Sequence, residues 1–185
     1  MKKLLLTAAM AAVVSVAVLA PQSAKAVDGT ITFKGQVLAQ TCTVDTIAYQ
    51  SNGTLTTPDN RTINLPNVLA TALNAAGSTA GQTGFQIQIA GCDPGLKSVT
   101  TTFSGSGIDV TNHVLSNTGT SSAVEVQLLD SSQNAIPLAA TYAMPAVNLT
   151  SGAATLQYYA QYYSKNGSAG AGSVTSTVSF TMSYQ

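Results

Sequence analysis

The last twelve residues, Val174–Gln185, read V-T-S-T-V-S-F-T-M-S-Y-Q. Val174, Val178, Phe180, Met182 and Tyr184 share one parity, and Ser, Thr and Gln fill the other. A period of 2 held over this length predicts a β-strand with one buried face. The strand runs to the end of the sequence, so no later segment can pair with it. Its free edge needs cover from earlier in the chain or from another chain.

The same alternation opens at Val27. Val27, Gly29, Ile31 and Phe33 fall on one side, Asp28, Thr30, Thr32 and Lys34 on the other, and Gly35 breaks the run. Val37–Val44 continues as a second strand segment carrying Cys42. The polar stretch Ala48–Arg61 predicts a loop, and Thr62–Leu65 a short strand ended by Pro66. Asn67–Ala76 predicts a short helix with Asn67 as its N-cap. Gly77–Gly84 reads as loop, and Phe85, Ile87 and Ile89 then alternate with glutamines up to Cys92. Further short strands follow at Val99–Phe103, Val114–Leu115, Val124–Leu128, Ile136–Leu138 and Leu156–Tyr162, with Lys165–Gly172 as the turn before the final strand. Seven or eight short strands with turn chemistry between them predict an all-β, immunoglobulin-like sandwich. With Trp absent from the chain, the Cys-Trp-Cys core of antibody domains is excluded.

The extreme N-terminus stands apart from this pattern. Met1-Lys2-Lys3, a mostly apolar run from Leu4 to Leu19, and Ala24-Lys25-Ala26 have the form of a secretory signal peptide. Cleavage after Ala26 gives a mature start at Val27, and a cut after Ala20 is the alternative. Removing Lys2, Lys3 and Lys25 leaves Lys34, Arg61, Lys97 and Lys165 against seven acidic residues, a net charge of about −3. No basic patch exists to hold nucleic acid. Charged residues make up 8% of the chain, against a usual share of about 25%, so like copies repel one another weakly. Cys42 and Cys92, an even pair in an exported chain, predict one disulfide.

Candidate chemistry is sparse. His113 lies in a loop-like stretch with no nucleophile or carboxylate at a catalytic spacing. Asp28, Asp45, Asp59, Asp93, Asp109, Glu125 and Asp130 are scattered, mostly beside turn-forming residues. The glycine run Gly167–Gly172 precedes a strand, whereas a phosphate cradle opens a helix. Tyr158 and Tyr162 project to one sheet face, Tyr159 and Tyr163 to the other, as ordinary strand aromatics do. The residues point to no enzyme, cofactor or metal.

Several segments together carry a resemblance. Gly29-T-I-T-F-K-G-Q-V37 followed by Cys42, Ile63-N-L-P-N-V68, Phe85-Q-I-Q-I89 before Cys92, Val124-E-V-Q-L-L-D130 and Tyr158-Y-A-Q-Y162 are similar to segments of fimbrial subunits of the chaperone–usher pathway, of the type 1 and P pilus kind. Tyr184 as penultimate aromatic, with Gly172 fourteen positions from the end, resembles the motif such pilins present to a periplasmic chaperone. The resemblance implies an incomplete immunoglobulin-like fold lacking its last strand. Its groove would lie along Gly172, Val174, Val178, Phe180, Met182 and Tyr184. A chaperone strand would fill it first. Val27, Gly29, Ile31 and Phe33 of another subunit would then replace that strand, a mode of strand addition known as donor-strand complementation. The implied organisation is a signal peptide over 1–26, a donor segment over 27–35 overlapping the first strand, and a pilin domain over 36–185. The implied partners are identical or related pilins, a periplasmic chaperone and an outer-membrane usher, with passage through the periplasm to a surface fimbria that supports adhesion. The competing reading is a minor or tip pilin, or a lectin-like module that binds a host glycan or receptor.

Overall fold

The structure is a computed structural model and describes residues 42–51, 53–57, 61–139 and 142–185, all within the unit Val37–Gln185. The signal segment 1–26, the donor segment with Val27, Gly29, Ile31 and Phe33, and positions 37–41 of the second strand segment lie outside the described residues.

Among the described residues ten strands form two antiparallel sheets. They are β1 Thr43–Ser51, β2 Thr54–Thr56, β3 Thr79–Ala90, β4 Ser98–Ser104, β5 Ile108–Asp109, β6 Val114–Leu115, β7 Val124–Leu129, β8 Val147–Asn148, β9 Ala154–Ser164 and β10 Ser179–Tyr184. The larger sheet has the order β2-β1-β3-β9-β7-β6-β5, the smaller β10-β4-β8. Alternation explains the packing between them. Phe85, Ile87 and Ile89 of β3, Leu156 and Tyr158 of β9, and Val99 and Phe103 of β4 are buried in one apolar core. On the opposite face glutamines pair across strands: Gln86 Nε2 donates to Gln157 Oε1 (2.8 Å), and Gln161 Nε2 to Gln127 Oε1 (2.9 Å). Tyr158 joins the two sheets, its ring 5.5 Å from that of Phe85 and 5.2 Å, edge-on, from that of Phe103. Offset and edge-to-face contacts of this kind add to area burial.

The all-β sandwich and the Cys42–Cys92 disulfide agree with expectation. Several local expectations give way to tertiary context. The expected loop Ala48–Arg61 instead continues β1 to Ser51 and turns back through β2, because Tyr49 has a core site to fill while its polar neighbours sit on a sheet edge. β3 begins at Thr79, inside the expected loop Gly77–Gly84. Gly81 takes φ +67° at a bulge, where an added Cβ would meet Val68 and the Tyr162 ring at 3.0 Å. Glycine there permits close approach and does not break the strand. The helix expected over Asn67–Ala76 is a single 3-10 turn, Ala70–Leu73, with no side-chain cap and with Leu73 as its buried anchor. Thr62–Leu65 forms no ladder among the described residues. The final strand is regular only over Ser179–Tyr184. Among the described residues no helix is long and apolar enough to cross a membrane.

The disulfide ties the start of β1 to the end of β3 across a sequence separation of 50. A loop of that length corresponds to about 4 kcal/mol in the chain-entropy treatment. Replacing both cysteines by serine is therefore expected to lower unfolding free energy by about that amount, read as a fall in the urea midpoint with a steeper slope, because the unfolded chain is no longer crosslinked.

Candidate functional site

The final segment, Val174–Tyr184, is tied down along one edge only. β10 pairs with β4 from Ser179↔Ser104 to Tyr184↔Val99, and Gln185 exchanges both backbone bonds with Ser98, at 3.0 Å each way. In an antiparallel ladder such exchanging pairs alternate with pairs that make no bond. Ser183, Thr181 and Ser179 therefore point their backbone groups at β4, and Tyr184, Met182 and Phe180 point theirs away. Upstream the same parity holds: Ser121 N donates to Ser173 O (2.9 Å) and Thr118 N to Thr175 O (2.8 Å). The even-numbered backbone groups from 174 to 184 thus face outward from both neighbours, with no hydrogen-bond partner among the described residues.

Over Val174–Phe180 this edge borders a groove of about 950 Å³. Its floor is the sandwich core itself, including Phe85, Ile87, Phe103, Val126 and Leu128. Val174, Val178 and Phe180 form one wall, and Ile63 and Leu65 the other. The second wall is extended, and residues 62–68 make no backbone–backbone hydrogen bond among the described residues. Only a side-chain bond, Asn64 Nδ2 to the Tyr49 hydroxyl (3.2 Å), fastens it to β1. The walls meet at one end, where Ser168 N donates to Asn74 O (3.1 Å), and run from there in opposite chain senses. A packed interior has few voids larger than a water molecule. A channel this size, bordered by two backbone edges that are unpaired among the described residues, has the shape of an absent strand.

Burial agrees with this geometry. On β4 the inward Val99 and Phe103 are 0% and 3% exposed, whereas Val174, Val178, Phe180, Met182 and Tyr184 are only half-buried against the same core. The structure thus brings those five sequence-predicted residues onto one inward-facing line. Gly172 sits at the head of the wall, where an added Cβ would lie 2.5 Å from Ser121 N. Val27, Gly29, Ile31 and Phe33 are outside the described residues, and Cys42 and Cys92 serve the fold. Ile63, Leu65, Val44 and Ile47 also line the groove and were not foreseen as site residues. The parity of Thr62-Ile63-Asn64-Leu65 was their signal.

A second constellation escaped sequence reading. Lys165 Nζ donates to Asp109 Oδ2 at 2.6 Å and stands 3.9 Å from Glu125 Oε1. Lys165 and the amides of Asn112 and Thr111 hold the Asp109 carboxyl well below the usual carboxylate range. Asp109 and Glu125 raise the Lys165 ammonium, and burial raises Glu125. These groups join β5, β7 and the end of β9, and none of them lines the groove. His113 occupies the turn between β5 and β6, away from this triad's hydrogen bonds.

The arrangement defines a class: an all-β sandwich short of one strand. A profile of the fimbrial protein family matches residues 31–185. The chain is 37% identical over 176 residues to the major fimbrial subunit SMF-1 of Stenotrophomonas maltophilia (strain K279a), covering 89% of this chain and 97% of that one. It is 39% identical over 171 residues to the F17 fimbrial protein of Escherichia coli, covering 86% of this chain and 89% of the relative. A subunit from the structure of a chaperone–usher pilus superposes with a TM-score of 0.60 at 17% identity, covering 85% of this chain and 95% of its own, a likeness of fold. The chain belongs to the fimbrial protein family, and it is a structural pilus subunit with an incomplete immunoglobulin-like fold, not an enzyme.

Two outcomes follow from these contacts. Gly172→Ala drives a methyl into the 120–121 backbone, and overpacking of that kind costs about 1–3 kcal/mol, measurable by urea denaturation. The Asp109 carboxyl has a depressed folded pKa, so its stabilising share is complete above the unfolded value and is lost as pH falls toward the folded one. Asp109→Asn is expected to lower the urea midpoint at pH 7 and to flatten its decline below about pH 4.

Proposed function

We propose that this subunit polymerises by donor-strand exchange. Residues Val27–Phe33 of one copy occupy the groove of the next, between Ile63–Leu65 and Val174–Tyr184. The single observation that carries this reading is the pair of backbone edges, unpartnered among the described residues, that border an apolar channel. A donor must offer backbone groups to both edges and apolar side chains to the floor. Val27, Ile31 and Phe33 offer the side chains on one parity, and Gly29, without a side chain, tolerates close approach of the floor. Burial of three such side chains contributes roughly 1.5–3 kcal/mol each. Because the walls run in opposite chain senses, the donor lies antiparallel to one and parallel to the other.

The open groove also requires cover before assembly, since long apolar edges aggregate. A periplasmic chaperone that lends a strand, with Tyr184 and Gly172 in the surface it recognises, fits that need. Residues 1–26 would direct export, an outer-membrane usher would exchange the strands, and the product would be a surface fimbria that supports cell adhesion.

Deleting Val27–Phe33 is expected to leave a chain that still folds with its chaperone but forms no fibres, scored by electron microscopy of the producing cells. Fibres of normal length from the deletion variant would overturn the donor assignment. Tyr184→Ser is expected to reduce chaperone capture in a pull-down several-fold.

A further inference from the structure

The two halves of the final wall are built differently. From Ser179 onward β10 has a strand, β4, to supply both donors and acceptors. Upstream, the neighbour is the loop 117–121, which gives backbone N–H groups to Ser173 O and Thr175 O and offers no backbone carbonyl in return. Side chains replace the missing acceptors. Thr175 N donates to Asn117 Oδ1 (2.9 Å), and Ser173 N to Thr120 Oγ1 (2.9 Å). Asn117 is further locked into its own loop. Its Oδ1 also accepts from Gly119 N (2.7 Å), and its Nδ2 donates to Ser121 O (2.8 Å). One amide group therefore fixes the loop and stands in for a strand carbonyl beside the wall.

We propose that Asn117 is a positioning residue for strand uptake. It holds Ser173–Ser176 extended, so that the backbone groups of Val174 and Ser176 already point into the groove when the strand of a second copy arrives. The inference rests on the groove being the strand acceptor. Without the clip, the first half of the wall must straighten as the donor docks, and that ordering slows association. The second half keeps its ladder to β4, so the fold itself survives.

The test uses the chain lacking its own residues 27–35, held as its complex with the chaperone, and a fluorescein-labelled synthetic peptide of residues 27–35. Uptake is followed by anisotropy, and the melting midpoint by circular dichroism. Asn117→Ala is expected to slow uptake about tenfold, a loss equivalent to ~1.4 kcal/mol in the barrier, with the melting midpoint within a few degrees of wild type. Asn117→Asp keeps acceptors for Thr175 N and Gly119 N but loses the bond to Ser121 O, so its rate should fall between the two. Wild-type uptake by Asn117→Ala would overturn the proposal. So would a loss of rate matched by collapse of the circular dichroism signal, or an aspartate variant as slow as alanine. Failure of the wild-type chain to take up peptide would instead sink the acceptor reading beneath it.

Discussion

Backbone N–H and C=O groups must be paired, and among the described residues of this sandwich two adjacent segments are left with one edge unpaired over the same apolar floor. The rest of the site depends on that constraint. A single orphan edge could face water, as edge strands do. Two edges bordering a channel into the core cannot both be satisfied without exposing the floor, so the stable state is one in which a further strand enters. The domain is thus built to be completed from outside. Phe180, Met182 and Tyr184 are half-buried beside the fully buried Val99, as the proposed completion at this edge requires.

The wall facing the final strand shows why local propensity alone misread the chain. Thr62–Leu65 has strand parity, and the structure keeps it extended with Ile63 and Leu65 turned half inward. It joins no sheet because no backbone among the described residues bonds to its own. The same demand for an extended wall leaves Asn67–Ala76, whose composition suits a helix, with only the 3-10 turn that anchors Leu73. The glycines of β3 misled in the other direction, because Gly81 answers a close approach by Tyr162 that only the tertiary fold creates.

What alternates strongly was legible. The runs Phe85–Ile89, Val124–Leu128 and Leu156–Tyr162 lie where their parity put them, and Val174, Val178, Phe180, Met182 and Tyr184 all pack half-buried against the core. What depends on polar side chains reaching across sequence was not. Asn117 and Thr120 standing in for a strand, and Lys165 gathering Asp109 and Glu125, rest on separations of roughly forty to sixty residues that no local pattern carries. A chain so poor in charge uses Ser, Thr and Asn for these tasks, and in sequence they look like loop filler.

The most direct test is hydrogen exchange, residue by residue, on the isolated subunit and on assembled fibres. The amides of Ser176, Val178, Phe180, Met182 and Tyr184 should exchange rapidly in the subunit and become strongly protected in the fibre. Ser179, Thr181 and Ser183, already bonded to β4, should be protected in both states. Equal exchange of the even-numbered amides in subunit and fibre would contradict the account.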